Sequence, residues 1–445
     1  MIGSLDKKIN LIYNKINMAI IEPRLLKGFR DYLPEKMIVR QRMIQIIKEA
    51  YERFGFLPLE TPALEHADIL LGKYGEEGEK LLYRFKDNGD RDVALRYDLT
   101  VPLARVVAQY PELSKPFKRY QVAPVWRAEN PQKGRFREFY QCDADIVGTT
   151  SLAADAEIVA VISETLKALG VKDFVVSINN RKILDGVLKD LSLPAGKNLA
   201  VLRIIDRLEK AGQVEVEKDL VELVGDPGKV KNIQKFIMAK DSQAVAKVFP
   251  GAKEGLEELD LVYNYAANLG VAENNYKIDF SIARGLDYYT GTVYETRIDA
   301  LPAIGSVFSG GRYDNLISQF IGRSIPAVGA SIGLDRLFAA LEELKVVEEV
   351  KSTAQAMIAL LDDELVAEYQ KMAAELRRAK INTLVFFDKI GLAKQLSYAA
   401  QQKIPFVVIC GSKEKEADTV VLRDMAKEEQ RELGWAEAKE FLKKQ

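Results

Sequence analysis

The sequence predicts an α+β domain built on an antiparallel sheet, interrupted by a helical insertion and followed by a smaller α/β domain. Three observations support this fold class. Residues 120–147 show strand periodicity on both sides of a turn, strand signals vanish between residues 181 and 265, and apolar strands alternate with helices from Ala354 onward. A chain of 445 residues has room for two or three such domains.

Composition argues against several classes of protein. Hydrophobic residues make up 48% and charged residues 29% of the chain, as in a soluble globular protein, and no run approaches the length of a membrane span. Cys142 and Cys410 lie far apart, and His66, expected on a helix surface, is the only histidine. We therefore expect a reducing, cytoplasmic location, no disulfide framework, no Cys-based metal site and no Ser/His or Cys/His catalytic pair.

The N-terminal segment and the overall charge are less informative. Residues 1–20 contain lysines but no continuous apolar core or cleavage site, so we interpret them as a loosely attached extension and not as a secretory signal. The net charge of −1 does not by itself indicate a nucleic-acid-binding protein. A nucleic-acid partner would require local basic patches, and a balanced net charge does not exclude such patches.

A predicted helix and a second hairpin precede the main hairpin. The helix, residues 34–54, is amphipathic and ends before an extended segment at residues 57–62, which fits either a subunit interface or internal packing equally well. Residues 83–97 form the second hairpin around an Asn-Gly turn signal. After it, Thr100 is placed as a helix N-cap and Pro102 in the first turn. Asp98 at this junction is either an additional cap or a ligand for an amino group.

The hairpin of residues 120–147 carries the strongest signal of a site. Alternate residues of a strand share a face, so Tyr140, Cys142, Ala144 and Ile146 form a core face in the second strand. The opposite face carries Arg137, Phe139, Gln141, Asp143 and Asp145. This face is either an ordinary hydrated side of a sheet or the floor of a pocket for a small ligand with both anionic and cationic groups.

The second half of the antiparallel domain is interrupted by helices. A helix over residues 151–169 and a strand over 174–179 precede the helical stretch, and a strand returns at 276–280. Residues 283–295 contain an arginine, glycines and adjacent tyrosines, which suit anion and ring recognition. Residues 309–314 are interpreted as a second glycine-rich loop, although either stretch could be a simple tight turn. Residues 327–337 are a strand-to-helix passage with Arg336 in the first turns, where a surface salt bridge is the alternative role.

The C-terminal region alternates strands and helices. Strands are expected at residues 356–360, 383–387, 405–411 and 420–424, with helices at 363–380, 392–402 and 435–443. Continuous apolar strands between helices predict a mainly parallel sheet. The sequence thus divides into an extension (1–20), an antiparallel-sheet domain (21–180 and 266–345), a helical insertion (181–265) and a C-terminal domain (354–445).

These motifs together resemble the histidyl-tRNA synthetase family of class II aminoacyl-tRNA synthetases. Residues 126–148 are similar to class II motif 2, residues 326–337 to motif 3, and the helix and strand ending at Pro62 to motif 1. Residues 283–291 (ARGLDYYTG) and 309–314 (SGGRYD) are similar to the two histidine-binding signatures of the family. The resemblance extends from about residue 26 to the C-terminus and implies a class II catalytic domain with an anticodon-binding C-terminal domain.

The resemblance implies a two-step reaction and a role for each motif residue. Histidine and ATP would form histidyl-adenylate and pyrophosphate, and the histidyl group would then pass to tRNA-His. Arg127 would hold the carboxylate and α-phosphate, Arg284 the α-phosphate, and Arg336 the γ-phosphate. Such a reaction needs positioning and charge neutralisation more than a protein nucleophile.

Other residues receive binding roles from the same resemblance. Glu129 and Phe139 would orient and stack adenine. The α-amino group would be held by Asp98, Thr100 and Gln141, with Gln141 also taken as catalytic. The imidazole would be recognised by Asp145, Tyr288, Tyr289 and Tyr313, and the tRNA acceptor end would meet Gln132, Lys133 and Arg135. Aspartate at positions 98 and 145 departs from the glutamate of many family members and shortens the reach to the same ligand.

The family also implies partners, a cofactor and one rival function. A homodimer is expected, as are ATP as substrate and Mg²⁺ with it, for which the sequence names no ligands. The rival is a non-catalytic, synthetase-like regulatory subunit of an ATP phosphoribosyltransferase that senses histidine. That form typically lacks the C-terminal domain and has degraded signatures, whereas both are intact in this sequence.

Overall fold

The structure is a computed structural model that describes residues 21–72, 78–131, 134–193, 196–239, 241–282, 288–347 and 349–445. The predicted extension at residues 1–20 lies outside this described part of the chain. The strands, in chain order, are β1 (Leu57–Pro58), β2 (Leu64–His66), β3 (Arg84–Lys86), β4 (Asp92–Leu95), β5 (Phe117–Trp126), β6 (Glu138–Val147), β7 (Phe174–Asn180), β8 (Tyr276–Ile278), β9 (Thr292–Ile298), β10 (Phe308–Arg312), β11 (Ala327–Gly333), β12 (Ala356–Ile358), β13 (Thr383–Val385), β14 (Phe406–Ile409), β15 (Thr419–Asp424) and β16 (Glu429–Gly434).

Helices cover most of the remaining described residues. The α-helices, in chain order, are α1 (Pro34–Arg53), α2 (Ala67–Leu70), α3 (Thr100–Gln109), α4 (Leu152–Ala168), α5 (Arg181–Asp190), α6 (Lys197–Asp206), α7 (Leu208–Ala211), α8 (Gln213–Val224), α9 (Pro227–Ile237), α10 (Ser242–Val248), α11 (Lys253–Asn268), α12 (Ser318–Ile321), α13 (Leu334–Glu343), α14 (Val366–Arg378), α15 (Leu392–Gln401), α16 (Ser412–Glu416) and α17 (Trp435–Lys443). Short 3₁₀ turns lie at Pro250–Ala252, Glu273–Asn275, Pro302–Ile304 and Asp363–Leu365. Within the described chain, no helix is both long and apolar enough to cross a membrane.

An eight-stranded sheet forms the centre of the larger part of the molecule. Its strand order is β1-β5-β6-β11-β10-β9-β7-β8, and the β1–β5 and β7–β8 pairs at its two edges are parallel. All other neighbours are antiparallel. The predicted antiparallel catalytic sheet is therefore confirmed, with a parallel strand added at each edge. The hairpin β3–β4, together with β2, forms a separate three-stranded sheet.

One face of the central sheet is apolar and is covered by helices. The predicted core residues Cys142, Ala144 and Ile146 are buried there. Helix α1 packs on this face through residues such as Ile47, and its Tyr51 hydroxyl donates a hydrogen bond of 3.0 Å to the Cys142 carbonyl. Helix α4 belongs to the same core. This packing leaves the other face of the sheet available for polar side chains.

The region that the sequence assigns to a helical insertion is helical from α5 to α11. Its buried side chains belong to the same apolar cluster as the central sheet. Gly186 on α5 lies against the Pro250–Ala252 turn so closely that a Cβ there would come within 2.2 Å of the Gly251 carbonyl oxygen. The division of the chain into domains remains a proposal.

The C-terminal part contains a separate five-stranded sheet with the order β13-β12-β14-β15-β16. Strand β12 pairs in parallel with β13 and β14, whereas the β14–β15 and β15–β16 pairs are antiparallel. The expectation of a mainly parallel sheet was therefore correct for only half of the pairs. Strand β16 was not predicted because its residues are largely exposed and charged, which leaves no apolar pattern.

Two local predictions are corrected by the structure. Residues 309–314 are mostly strand and not a loop, because Gly310 and Gly311 lie in β10 between two neighbouring strands. A Cβ at Gly310 would lie 2.0 Å from the Gly329 carbonyl oxygen. The absence of a side chain therefore allows the neighbouring strands to lie close together. His66 is exposed, as expected, but ends strand β2 instead of lying on a helix surface.

Candidate active site

The polar face of the central sheet lines a cavity of about 270 Å³. Strands β6, β10 and β11 form its floor, and the segments before α3 and after β5 form its wall. The side chains that line it include Asp98, Thr100, Arg127, Glu129, Arg135, Phe139, Gln141, Asp145, Tyr288, Tyr289, Tyr313, Ser331, Asp335 and Arg336. Carboxylates and tyrosines lie deep in this cavity together with several arginines.

Asp145 is the buried anion at one end of the cavity. Only 3% of the residue is exposed, and its Oδ1 accepts a hydrogen bond from the Tyr313 hydroxyl. Its Oδ2 lies 2.9 Å from Nη2 of Arg119, which is fully buried. Gly329 on β11 lies directly opposite, and a Cβ there would come within 2.0 Å of Asp145 Oδ1. The missing side chain therefore makes the space for this carboxylate.

Aromatic rings surround the anionic end. The Tyr288 and Tyr289 ring centroids are 4.8 Å apart, and the Tyr288 and Tyr313 rings meet edge to face at 6.0 Å. Tyr289 and Tyr313 are buried, and both contribute to the apolar cluster beneath the cavity. An end formed by a carboxylate and phenol groups suits a small ring that carries polar N–H groups.

Burial disfavours charge at this end of the cavity. It raises the pKa of the Asp145 carboxyl, while the Arg119 cation and the Tyr313 hydrogen bond lower it. For Asp143, the same burial raises the pKa to about 7, against the lowering effect of Arg119 and with a further increase from Asp145. Two buried carboxyls thus compete for one cation, an arrangement that raises carboxyl pKa values.

Gln141 and Asp98 hold a pair of acceptors beside Asp145. The Gln141 Nε2 group donates a hydrogen bond of 2.7 Å to Ser331 Oγ. Its Oε1 is buried without a hydrogen-bond partner among the described residues. Oδ1 of Asp98 accepts hydrogen bonds from the backbone N–H groups of Thr100 and Val101, at 3.1 and 3.0 Å. Asp98 therefore does cap α3, and it also lines the cavity.

The opposite end of the cavity is cationic. Arg127 Nε donates a hydrogen bond of 3.0 Å to the Tyr97 carbonyl, and its guanidinium lies 5.1 Å from the Phe139 ring centroid. Arg135 Nη1 is 4.0 Å from Glu129 Oε2. Burial lowers the pKa of Arg336, and the positive charges of Arg135 and Arg127 lower it further. Three neighbouring guanidinium groups with one carboxylate between them favour a polyanionic ligand.

A buried cluster holds Arg336 and the β6 strand in place. Asp335 accepts hydrogen bonds from Arg40 at 2.8 Å, Arg30 at 2.6 Å and the Tyr140 backbone N–H at 2.8 Å. The Tyr32 hydroxyl also donates to Asp335. Burial raises the pKa of the Asp335 carboxyl to about 6. This cluster connects α1 and the loop before it to the first turn of α13, and so fixes the position of the neighbouring Arg336.

The structure brings together every sequence-predicted site residue that it describes. Those residues are Asp98, Thr100, Arg127, Glu129, Arg135, Phe139, Gln141, Asp145, Tyr288, Tyr289, Tyr313 and Arg336. Arg284, Gln132 and Lys133 lie outside the described residues. Among the residues described, no three His, Cys, Asp or Glu side chains are arranged to hold a metal ion.

Sequence reasoning missed several residues that shape the cavity, above all Arg119 and Arg40. The predicted first strand began at Tyr120, whereas β5 begins at Phe117. An earlier start would have placed Arg119 on the polar face, opposite Asp145. The chain gives no comparable signal for Arg40, because a charged residue on an amphipathic helix is ordinarily placed on its exposed side.

Comparison with protein families gives two matches that together span most of the chain. Residues 28–337 match the family model described as histidyl-tRNA synthetase. Residues 355–445 match the model described as anticodon binding domain. The first match contains the whole cavity, and the second coincides with the part that holds the five-stranded sheet.

Individual relatives agree with the family matches. A protein of Rhodopirellula baltica named histidine–tRNA ligase is 44% identical over 427 residues, covering 94% of this chain and 96% of the relative. A histidine–tRNA ligase of Clostridium tetani is also 44% identical, with 95% and 99% covered. The crystal structure of histidyl-tRNA synthetase from Nostoc sp. PCC 7120 superposes with a TM-score of 0.86 at 36% identity, covering 95% of this chain and 99% of that one.

Proposed function

This chain belongs to the histidyl-tRNA synthetase family, and from this premise we propose that its cavity joins L-histidine to ATP and that the histidyl group then passes to tRNA-His. It is an aminoacyl-tRNA ligase with a class II catalytic fold and an anticodon-binding domain. We assign roles within the cavity from its distribution of charged groups. Guanidinium groups lie at one end, and a buried carboxylate with tyrosines lies at the other.

At the cationic end, the arginines would hold the triphosphate. Arg127 would bridge the substrate carboxylate and the α-phosphate, and Arg336 would meet the γ-phosphate. Phe139 would stack on adenine, and the Glu129 carboxylate would accept a hydrogen bond from the adenine amino group. Attack of a carboxylate on the α-phosphate brings two anions together, so fixed cations at this point lower the barrier. Arg284, which the family places at the α-phosphate, is retained here as a prediction.

At the other end, the histidine would be held by acceptors. The unpartnered Gln141 Oε1 would accept a hydrogen bond from the α-ammonium group, beside Asp98 and Thr100. Asp145 would accept an imidazole N–H, while Tyr288, Tyr289 and Tyr313 enclose the ring. An amino acid without a ring N–H would leave the lone pairs of Asp145 that face the cavity without a donor, and this difference provides strong discrimination.

Magnesium, the acceptor end of the tRNA, the dimer and the location also belong to the proposal. Mg²⁺ is expected to bind together with ATP, as the family implies. Arg135, with Gln132 and Lys133, would meet the acceptor end. A homodimer would use the β1 edge, where Leu57 is 59% exposed. A cytoplasmic location is expected from the family.

Aminoacylation of purified tRNA tests the complete proposal. The enzyme should attach labelled histidine to a tRNA-His transcript in the presence of ATP and Mg²⁺, and it should leave transcripts of tRNAs for other amino acids uncharged. The alternative of a histidine-sensing regulatory subunit predicts that histidine binds without transfer to any tRNA. Size-exclusion chromatography with light scattering tests the dimer in the same preparation.

A further inference from the structure

A buried arginine that the proposed mechanism does not use lies beneath the anionic end of the cavity. Arg119 on β5 is directly opposite Asp145 on β6 and has no exposed surface. Its Nη2 lies 2.9 Å from Asp145 Oδ2 and donates a hydrogen bond of 3.0 Å to the Leu99 carbonyl. Arg119 does not line the cavity, so it can influence a ligand only through the groups that it contacts, and of these the Asp145 side chain lines the cavity.

The immediate surroundings of Arg119 contain more negative than positive charge. Asp143 Oδ2 lies 3.9 Å from the same Nη2, so one cation faces two carboxyls. Nε and Nη1 of Arg119, Oδ1 of Asp143 and Oδ2 of Asp145 are buried without hydrogen-bond partners in the described part of the chain, so the contact between Arg119 and Asp145 is an ion pair and not a hydrogen bond. A buried ion pair with polar atoms unsatisfied is a poor source of stability compared with apolar packing. The arrangement therefore has its main consequence for the charge on Asp145.

We propose that Arg119 is a positioning residue for amino-acid specificity, which pairs with the Asp145 carboxyl and turns it so that its remaining lone pairs accept a ring N–H from the substrate. This inference rests on the proposed function, because it takes that ring to be the imidazole of histidine. The two sides of the carboxylate are already fixed, with Oδ2 at Arg119 and Oδ1 at the Tyr313 hydroxyl. Only the lone pairs that face the cavity remain for a ligand.

The charged and titratable groups around Asp145 come from several elements, and Arg119 is the one cation in this set of described residues. The set comprises Arg119 from β5, Asp143 from β6, Tyr313 after β10, Tyr51 from α1 and Asp98 before α3. Burial raises the pKa of Asp145, and Arg119 opposes this increase. Removing the cation therefore moves the pKa of Asp145 upward and increases the fraction that is protonated near neutral pH.

The test is histidine-dependent ATP–pyrophosphate exchange with Arg119→Met, which keeps an unbranched side chain, shorter than that of arginine, and removes its charge. The KM for histidine should rise by about tenfold at pH 7, because a larger fraction of Asp145 is protonated without the cation, while the KM for ATP stays within about twofold. The ratio of the variant's histidine KM to that of the wild type should fall as the pH rises from about 6.5 to 8.5, because Asp145 then regains its charge. Titration of histidine itself cancels in this ratio.

Two further variants separate electrostatics from packing. Arg119→Lys should keep the ratio of histidine KM values nearly independent of pH, because the cation remains. Adding Asp143→Asn to Arg119→Met should restore part of the affinity for histidine, since one buried negative charge is removed together with the positive one. If Arg119→Met does not fold, Arg119→Gln replaces it with a neutral polar side chain and undergoes the same test.

The outcomes distinguish this inference from the function on which it rests. The role of Arg119 would be overturned if the ratio of the histidine KM of Arg119→Met to that of the wild type stayed constant over the pH range. An equal rise in the KM for ATP would also overturn it, and either result would indicate a structural contribution alone. A wild-type enzyme without histidine-dependent exchange would overturn the proposed function itself. A ratio that falls with pH, together with an unchanged KM for ATP, supports both.

Discussion

Asp145 and Gly329 lie directly opposite each other on neighbouring strands, and the Asp145 carboxylate fills the space in which a side chain at residue 329 would begin. A Cβ at this position would come within 2.0 Å of Asp145 Oδ1 and 2.7 Å of the Ala144 carbonyl oxygen. Neither the Ala144 backbone nor the buried Asp145 carboxylate has space to move away from an added Cβ. The shape of the anionic end of the cavity thus depends on the absence of one methyl group.

The first prediction follows from this contact. Gly329→Ala should displace Asp145 and raise the KM for histidine by at least about tenfold, because overpacking a rigid site shifts its neighbours. The matched control is Gly434→Ala, where no atom lies within 4 Å of the added Cβ and which lies outside the cavity. Exchange kinetics measure both variants. A normal histidine KM in Gly329→Ala would mean that Asp145 does not contact the substrate.

Gln141 supplies the second prediction. Its buried Oε1 has no partner in the described structure, and a buried carbonyl without a hydrogen bond costs about 1–3 kcal/mol. Gln141→Met removes this group with little change in volume, so the thermal midpoint should stay the same or rise. Histidine-dependent exchange should fall by about tenfold or more, because a hydrogen bond to the charged α-ammonium group is lost.

The opposite pattern would contradict the role of Gln141. A large fall in the thermal midpoint with normal exchange would mean that Gln141 is a structural residue whose main contribution is its hydrogen bond to Ser331. Differential scanning fluorimetry and exchange kinetics on one preparation are sufficient to separate these results.

Arg336 supplies the third prediction. Arg336→Ala should raise the KM for ATP by about tenfold or more and change the KM for histidine much less, because this side chain lies at the cationic end of the cavity. Arg91→Ala is the control, since its exposed ion pair with Asp87 lies in the β3–β4 turn, away from the cavity. Equal increases in both KM values would argue against separate phosphate and amino-acid ends.

Asp335 supplies the fourth prediction, which concerns stability and pH. Folding raises the pKa of this carboxyl from 3.8 to about 6. The folded protein therefore binds a proton there more tightly than the unfolded chain does. The resulting stabilisation is complete below about pH 4 and is lost as the pH rises through about 6.

Asp335→Asn removes this titration and leaves the buried Arg40 without its carboxylate. The variant should have a lower thermal midpoint at every pH, by several degrees. The deficit relative to the wild type should be larger at about pH 5 than at about pH 7.5. A deficit that is constant or grows toward higher pH would show that the pKa of Asp335 is not raised by folding.

The regular elements were predictable because each has a local signal. The hairpin around Tyr140 alternates apolar and polar residues, and helix α1 has a clear apolar stripe, so both were recognised from periodicity. Strand β16 and the strand character of Gly310 and Gly311 were missed. β16 pairs with the preceding strand β15, but its exposed, charged residues give no apolar pattern. The conformation of Gly310 and Gly311 depends on pairing with β9 and β11, which a short stretch of sequence does not encode.

The site was predictable to a similar extent. The family motifs led to the residues that line the cavity, from Asp98 to Arg336. The residues beneath it were not recognised. Arg119 lies opposite Asp145, 26 positions along the chain, only because of the register between β5 and β6. Arg40 contacts Asp335, which is much farther away in sequence. Patterns in a single sequence indicate which face of a strand or helix a residue occupies. They do not indicate which distant residue it contacts in the folded protein.

The most direct test of the central claim is ATP–pyrophosphate exchange with each of the twenty amino acids supplied singly. We predict that histidine alone stimulates exchange, because only its ring pairs with Asp145 within the tyrosine-lined end of the cavity. Exchange with a different amino acid, or binding of histidine without any exchange, would contradict the assignment of this cavity as the site of histidine activation.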